Sequence, residues 1–311
     1  MANQFVIEAK NVWKSFKTVQ AVKGVDIKIP EGQFVALLGP NGAGKTTFVE
    51  MIEGIQKPDC GEITIMGKTW KGNEDELHRF LGISLQETLF IDKLNVFETL
   101  DLFASFFDLG KQKVNEIIEI VGLEEKRKSY VVNLSGGQRQ RLALGVSLIN
   151  DPKILLLDEP TTGLDPNARR EIWEILQRLK DKAGTSMILT THYMEEAENL
   201  CDYIIILDNG KILKEGTLSQ LLDEDTNQKV IEFTTEKGVL PEDAHGPDLP
   251  FSIRREPTGN KGYVTLTNFE SDLPVFMSYL KSRNISLRNM ECRRKTLDDL
   301  FVSLTGRKID E

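Results

Sequence analysis

The fold is decided by the stretch Gly39-Pro-Asn-Gly-Ala-Gly-Lys45-Thr46, which matches the pattern G-x-x-x-x-G-K-[S/T]. The apolar run Phe34–Leu38 before it predicts a strand, and apolar side chains at helical spacing predict a helix over 45–55. This is the context in which the pattern binds phosphate. The glycines let the backbone approach closely, so that successive N–H groups at a helix N-terminus can surround an anion.

Lys45 and Thr46 supply the reactive side chains of this loop. The lysine can reach the β- and γ-phosphates of a nucleotide, and the Thr46 hydroxyl can bind Mg²⁺. A glycine-rich turn that caps a helix by chance is the alternative, and the correctly placed strand and helix argue against it. The predicted phosphate-binding residues are Gly39, Pro40, Asn41, Gly42, Ala43, Gly44, Lys45, Thr46 and Thr47.

A second apolar run ends in two carboxylates. Residues 154–157 are all apolar, and Asp158 and Glu159 follow them. Because ligands of open α/β sheets bind at the carboxyl ends of strands, Asp158 is predicted to hold Mg²⁺, directly or through water. Glu159 is predicted to polarise an attacking water. An apolar run that ends in acids is a weak signal alone and a strong one beside the phosphate loop.

Short apolar runs alternate with helical patterns from residue 1 to about 222, which predicts an α/β fold. The runs 154–157 and 203–207 are apolar throughout, as expected for central strands that are covered on both faces. A mainly helical region, about 96–149, lies between two groups of strands.

The pattern changes beyond residue 222. The polar stretch 223–229 is predicted to be a linker, and residues 230–311 to form a small α+β domain. A basic cluster in this domain has two interpretations, contact with anionic lipid headgroups or a solvated strand edge, and we favour the edge. The cluster consists of Arg288, Arg293, Arg294 and Lys295.

Composition excludes several classes of protein. The 311 residues include 39 Lys+Arg and 48 Asp+Glu, and the net charge of -9 disfavours a broad nucleic-acid-binding face. No apolar run approaches the roughly 20 residues of a membrane-spanning helix, and the N-terminus lacks the pattern of a signal peptide. Three cysteines without metal-ligand spacing are predicted to be small buried or half-buried residues of a cytoplasmic protein.

The stretch Leu134-Ser-Gly-Gly-Gln138 distinguishes this chain from other phosphate-loop proteins. It precedes a predicted helix and offers a second helix N-terminus of phosphate size. One γ-phosphate scarcely needs two such sites in one subunit, which suggests that the two sites come from different subunits. The pentapeptide is a family signature, and over residues 1–222 the sequence resembles the ATP-binding subunits of ATP-binding cassette (ABC) transporters.

The resemblance implies a P-loop NTPase core of mostly parallel sheet, with an N-terminal antiparallel β subdomain and a helical subdomain over about 87–150. The C-terminal α+β domain would be an accessory. The Phe/Leu-rich stretch 89–107 would form a groove for a short helix of the permease, with some of its aromatic side chains in the core.

The resemblance also assigns roles to residues. Phe16 would stack on adenine, although packing in the core is an even alternative. Gln86 would join Thr46 and Asp158 at Mg²⁺ and sense the permease, and His192 would contact the γ-phosphate. Asp165 would link the two catalytic sites, with an ordinary Asp-containing turn as the alternative. The residues predicted to act on the ATP of a second subunit are Leu134, Ser135, Gly136, Gly137 and Gln138.

The implied function is that of an ATPase that drives transport. Two cassettes, identical or paired, would pack head-to-tail with ATP and Mg²⁺ between them, and hydrolysis would reopen the dimer. The motion would rock a permease on a separate chain, which places this subunit on the cytoplasmic face of the membrane. The stretches 159–176, 190–202 and 297–307 resemble the branch that serves drug, lipid, heme or polysaccharide exporters, so we expect export. A soluble ABC ATPase that acts on nucleic acid or the ribosome is the alternative, and the net charge argues against it.

Overall fold

The computed structural model describes residues 5–86, 88–182, 184–222, 228–236, 251, 253–255 and 260–309. Its strands are β1 (Phe5–Phe16), β2 (Val19–Pro30), β3 (Phe34–Leu38), β4 (Cys60–Ile65), β5 (Leu81–Ser84), β6 (Ile154–Asp158), β7 (Ser186–Thr191), β8 (Tyr203–Asp208), β9 (Lys211–Gly216), β10 (Lys229–Thr235), β11 (Ile253–Arg255), β12 (Lys261–Leu266) and β13 (Leu287–Arg294). Its helices are α1 (Lys45–Ile52), α2 (Glu74–Phe80), α3 (Val96–Ser105), α4 (Lys111–Ile120), α5 (Gly136–Ser147), α6 (Pro166–Asp181), α7 (Met194–Leu200), α8 (Leu218–Leu222), α9 (Phe269–Ser282) and α10 (Leu297–Thr305).

A six-stranded sheet in the order β5-β6-β7-β3-β8-β9 forms the centre of the first unit. The four pairs from β5 to β8 are parallel, so these strands end at the same edge. Every residue of β3, β6 and β7 is buried, which explains the apolar stretches 34–38, 154–157 and 187–189 within them. The register pairs Asp158 with Thr190 and Leu38 with Thr191, and therefore brings the phosphate loop beside the carboxylates.

The predicted antiparallel subdomain and helical region are both present. Strands β2, β1 and β4 form a three-stranded antiparallel sheet whose apolar side chains share a core with α1. Helices α3, α4 and α5 pack on one another within the helical region. Helix α2 was not predicted, because its seven residues bury only Leu77 and so show no helical periodicity.

The second unit runs from Gly216 to Lys308 and contains a four-stranded sheet in the order β11-β12-β10-β13. The boundary therefore precedes the predicted one at residue 222, because α8 packs against α10. Lys229, assigned to the linker, begins β10, and residues 223–227 lie outside the described residues. Strand β13 is an edge strand, as we inferred for its basic cluster.

Two of the three cysteines are exposed, contrary to the prediction. Cys60 and Cys292 lie on β4 and β13, which are both edge strands, whereas Cys201 is half-buried. Among the residues that the structure describes, no helix combines the length and the apolar character needed to cross a bilayer.

Candidate active site

The sequence motifs meet at the carboxyl edge of the central sheet, where β3, β6 and β7 end. The backbone N–H of Gly39 donates to the carbonyl of Thr191 at 3.2 Å, and so connects the phosphate loop to the end of β7. The N–H of Glu159 donates to the carbonyl of Thr190 at 3.2 Å and connects the end of β6 to the same strand. The three strand ends therefore form one continuous site.

Two glycines of the phosphate loop are required by close backbone contacts. A Cβ on Gly39 would lie 2.2 Å from the carbonyl oxygen of Leu207, and one on Gly44 would lie 2.3 Å from that of Ala21. Gly44 also has φ 101° and precedes α1 without a side-chain cap. The first N–H groups of α1 therefore have no side chain competing for them, as a phosphate site requires.

Lys45 is 4% exposed and lies among acceptors. Its Nζ donates to the carbonyls of Gly39 at 2.8 Å and Pro40 at 3.2 Å, and lies 3.4 Å from Glu159 Oε1. Burial lowers the pKa of Lys45 although Glu159 and Asp158 oppose this shift. A phosphate group would take the place of these acceptors and favour the charged amine.

Thr46 and Asp158 offer oxygen ligands of the kind that Mg²⁺ prefers. The Thr46 hydroxyl donates to Asp158 Oδ1 at 3.2 Å, and the Thr190 hydroxyl donates to the same oxygen. Gln86 is exposed and lines a cavity with Thr46 and Asp158. Within the described part of the chain no three His, Cys, Asp or Glu residues form a metal cage. This sparse set fits Mg²⁺, which keeps several waters and shares its ligands with phosphates.

Glu159 is buried at the centre of the site. Its Oε2 accepts from the Thr162 hydroxyl at 3.0 Å and lies 3.3 Å from His192 Nδ1. Burial alone would raise its pKa, but the charge of Lys45 and the Thr162 hydrogen bond outweigh burial and lower the pKa. Glu159 therefore carries the negative charge that a base needs. Its φ of 47° is in the left-handed region, a strain that is typical of functional positions.

The signature lies beside α6. Ser135 is the N-cap of α5, where its hydroxyl accepts from Gln138 N–H at 3.2 Å and Gln138 Oε1 accepts from its N–H at 3.1 Å. A Cβ on Gly137 would lie 2.7 Å from the Cβ of Ala168, so this glycine allows α5 and α6 to pack closely. Leu134 is buried, whereas Ser135 and Gly136 are exposed.

Two other predicted residues lie outside this cluster of side chains. Phe16 is 42% exposed, so the alternative of core packing is wrong, and its ring lies 5.4 Å from Lys14 Nζ. Asp165 caps α6 by accepting from the N–H groups of Asn167 and Ala168, each at 3.0 Å. The ordinary helix-capping turn is therefore a sufficient reason for this aspartate.

Sequence reasoning missed Glu53 and Thr190. Glu53 is the C-cap residue of α1 and is 3% exposed. Glu53 lies four residues after the buried Val49 and therefore on the same face of the helix. An acid on this apolar face was the signal in the sequence that could have identified it. Thr190 gave no signal, because a threonine in a buried strand is ordinary.

The chain is similar to known transporter subunits. The family model for "ABC transporter" matches residues 22–162. The chain is 37% identical to the Nod factor export ATP-binding protein I of Rhizobium sp. (strain N33), over 99% of this chain and 100% of that protein. The protein of the same name from Burkholderia lata is 35% identical over 98% of both chains.

Two solved structures have the same fold as the first unit. One is cbiO1 from Clostridium perfringens, part of the ABC transporter complex cbiONQ, with a TM-score of 0.65 and 27% identity over 71% of this chain and 92% of that one. The other is the dimeric ATP-binding cassette MJ0796 bound to ADP and Pi, with a TM-score of 0.62 and 30% identity over 68% of this chain and 98% of that one. These similarities favour a transporter subunit over a nucleic-acid-acting ATPase. The chain belongs to the ABC transporter family, in which it is the ATP-binding and ATP-hydrolysing subunit of a transporter.

Proposed function

We propose that this subunit hydrolyses MgATP at the carboxyl edge of the central sheet and drives export through a separate permease. The observation that carries the proposal is the position of Glu159, which contacts both Lys45 and His192 in a site built on the phosphate loop. The loop from Gly39 to Thr47 binds the phosphates. When ATP binds, the Lys45 amine leaves Glu159 and contacts the β- and γ-phosphates instead. Phe16, exposed near Lys14, stacks on the adenine.

The carboxylate of Glu159 orients water and accepts its proton, and His192 contacts the γ-phosphate. Thr46, Gln86 and Asp158 hold Mg²⁺. The ion would offset the negative charge that develops on the phosphates.

A second cassette completes the site. Ser135 and Gly136 are exposed in this chain, so they are free to meet the ATP of a partner that packs head-to-tail. Leu134, Gly137 and Gln138 hold this segment at the start of α5, and Asp165 remains a predicted link between the two sites. The structure of the MJ0796 cassette, a dimer bound to ADP and Pi, supports a dimer of cassettes.

The proposed permease is an integral-membrane protein that holds this subunit at the cytoplasmic face. Leu89, Ile91 and Phe106 are large apolar side chains that are more than half exposed, and they lie in the stretch predicted to receive a permease helix. The direction of transport is supported by the relatives, which are named as export ATP-binding proteins.

Size-exclusion chromatography with light scattering of the Glu159→Gln variant tests this proposal. With ATP and Mg²⁺ we expect a change from monomer to dimer, because the substitution keeps nucleotide binding and blocks hydrolysis. Adding Lys45→Ala should remove the change by weakening ATP binding, and adding Ser135→Arg should remove it while ATP still binds. A variant that binds ATP and stays monomeric, or a dimer that survives Ser135→Arg, contradicts the head-to-tail arrangement.

A further inference from the structure

Glu53 occupies a position that local electrostatics disfavours. It follows the last residue of α1, where the negative end of the helix dipole repels a carboxylate. It is only 3% exposed, and its Oε1 has no hydrogen-bond partner. A buried carboxyl oxygen without a partner is costly, so this position calls for an explanation beyond packing.

The surroundings of Glu53 provide that explanation. Glu53 lines a cavity of about 340 Å³ together with Thr46, Gln86 and Asp158, the three residues assigned to Mg²⁺. Burial, followed by repulsion from Asp158 and Glu50, raises its pKa to about 7. A divalent cation in the cavity would relieve this repulsion and stabilise the charged form of Glu53.

The contact with the cation would be indirect. Among the described residues no three acidic, histidine or cysteine side chains are close enough to hold a metal ion together. Mg²⁺ dehydrates reluctantly and keeps several waters, so a carboxylate on the wall of the cavity can accept hydrogen bonds from those waters.

We propose that the Glu53 carboxylate is a positioning residue that binds the water shell of the Mg²⁺ accompanying ATP. This role rests on the proposed function, since it requires MgATP at Thr46 and Asp158. It gives the ion a second carboxylate besides Asp158, which orients the ion from the end of α1 opposite the phosphate loop.

A magnesium titration of ATP binding tests this role. ATP affinity is measured by calorimetry in the Glu159→Gln background, in EDTA and at increasing Mg²⁺. We expect Glu53→Gln to raise the Mg²⁺ concentration needed for half-maximal tightening by about 10-fold, because outer-shell partners of metals have effects of this size. Glu50→Gln, which removes a half-buried carboxylate from the same cavity, is the matched control and should change it less than about 3-fold. Glu53→Asp keeps the negative charge, so its Mg²⁺ requirement should lie close to that of the Glu159→Gln parent.

Three results would overturn the role of Glu53. The first is an unchanged Mg²⁺ requirement in Glu53→Gln. The second is an equal change in Glu50→Gln, which would indicate a general effect of charge. The third is an equal loss of ATP affinity in EDTA, which would indicate damage to the fold. If the Glu159→Gln parent itself binds no ATP, the proposed function fails and this role fails with it.

Discussion

Glu159→Gln is the substitution for which the structure gives the most specific expectation. The glutamine keeps the size of the side chain. It also keeps an oxygen that can accept the hydrogen bond that the Thr162 hydroxyl donates to Glu159 at 3.0 Å. It removes the negative charge that lies 3.4 Å from Lys45 Nζ and 3.3 Å from His192 Nδ1. The change therefore affects proton acceptance and charge while leaving the packing in place.

The expected loss of hydrolysis is large. A positioned general base contributes roughly 10²–10⁴-fold to the rate, so ATP turnover should fall by at least about 100-fold. ATP affinity should rise slightly. At 3.4 Å the gross attraction between Lys45 and Glu159 is about 5 kcal/mol with an effective dielectric constant near 20, and desolvation offsets most of it. Phosphates compete with this attraction, so its removal should tighten ATP binding by a few-fold.

Phosphate release at saturating MgATP gives the turnover, and calorimetry gives the affinity. Glu174→Gln, an exposed position on α6, is the control for the loss of one negative charge. Glu159 is not the general base if the variant hydrolyses ATP within about 10-fold of the wild-type rate, and it does not compete with phosphate for Lys45 if the variant binds ATP more weakly.

Three further predictions concern the loop and the end of α1. Lys45→Ala should weaken ATP binding by about 10- to 100-fold, since it deletes a charge-assisted contact; unchanged affinity of a fluorescent ATP analogue would exclude this contact. Gly44→Ala, which places a Cβ 2.3 Å from the Ala21 carbonyl, should lower the free energy of unfolding in urea by about 3 kcal/mol. Gly42→Ala, with open space around it, should cost about 1 kcal/mol, and equal costs would contradict the clash. The pKa of Glu53 is raised from 4.5 to about 7, so the folded state holds more protons and stability should fall by about 3 kcal/mol between pH 4.5 and 7. Urea unfolding of Glu53→Gln should lack this fall, and an identical pH profile would show that another group causes it.

The parts of the site that depend on backbone geometry were predictable. The bounds of β3 match the apolar run 34–38, and β6 extends only one residue beyond the run 154–157, because a strand covered on both faces is apolar along most of its length. Because parallel strands of one sheet end at the same edge, the phosphate loop after β3 and the carboxylates at the end of β6 were expected at one edge of the sheet. This is why the most reliable inferences concerned residues at strand ends.

The parts that depend on tertiary contacts were not predictable. Nothing in the pattern around Gly216 shows that α8 packs against α10, so the boundary was placed too late. The exposure of Cys60 and Cys292 depends on which strands lie at the edges of sheets, and this order is not readable from one sequence. Asp165 matched a family motif, but its side chain already has a local role in capping α6.

The pairing of Asp158 with Thr190 has a consequence for how this gene can change in length. Successive residues of a strand point to opposite faces, so one inserted or deleted residue within β6 would turn the Asp158 carboxylate away from the phosphate loop, and one within β7 would do the same to Thr190. Exposed turns such as Lys17-Thr18, between β1 and β2, are not tied to this alternation and connect strands at their ends. Length changes should therefore accumulate in the turns and be absent from the two central strands, because the length of these strands fixes the positions of the side chains at the edge of the sheet.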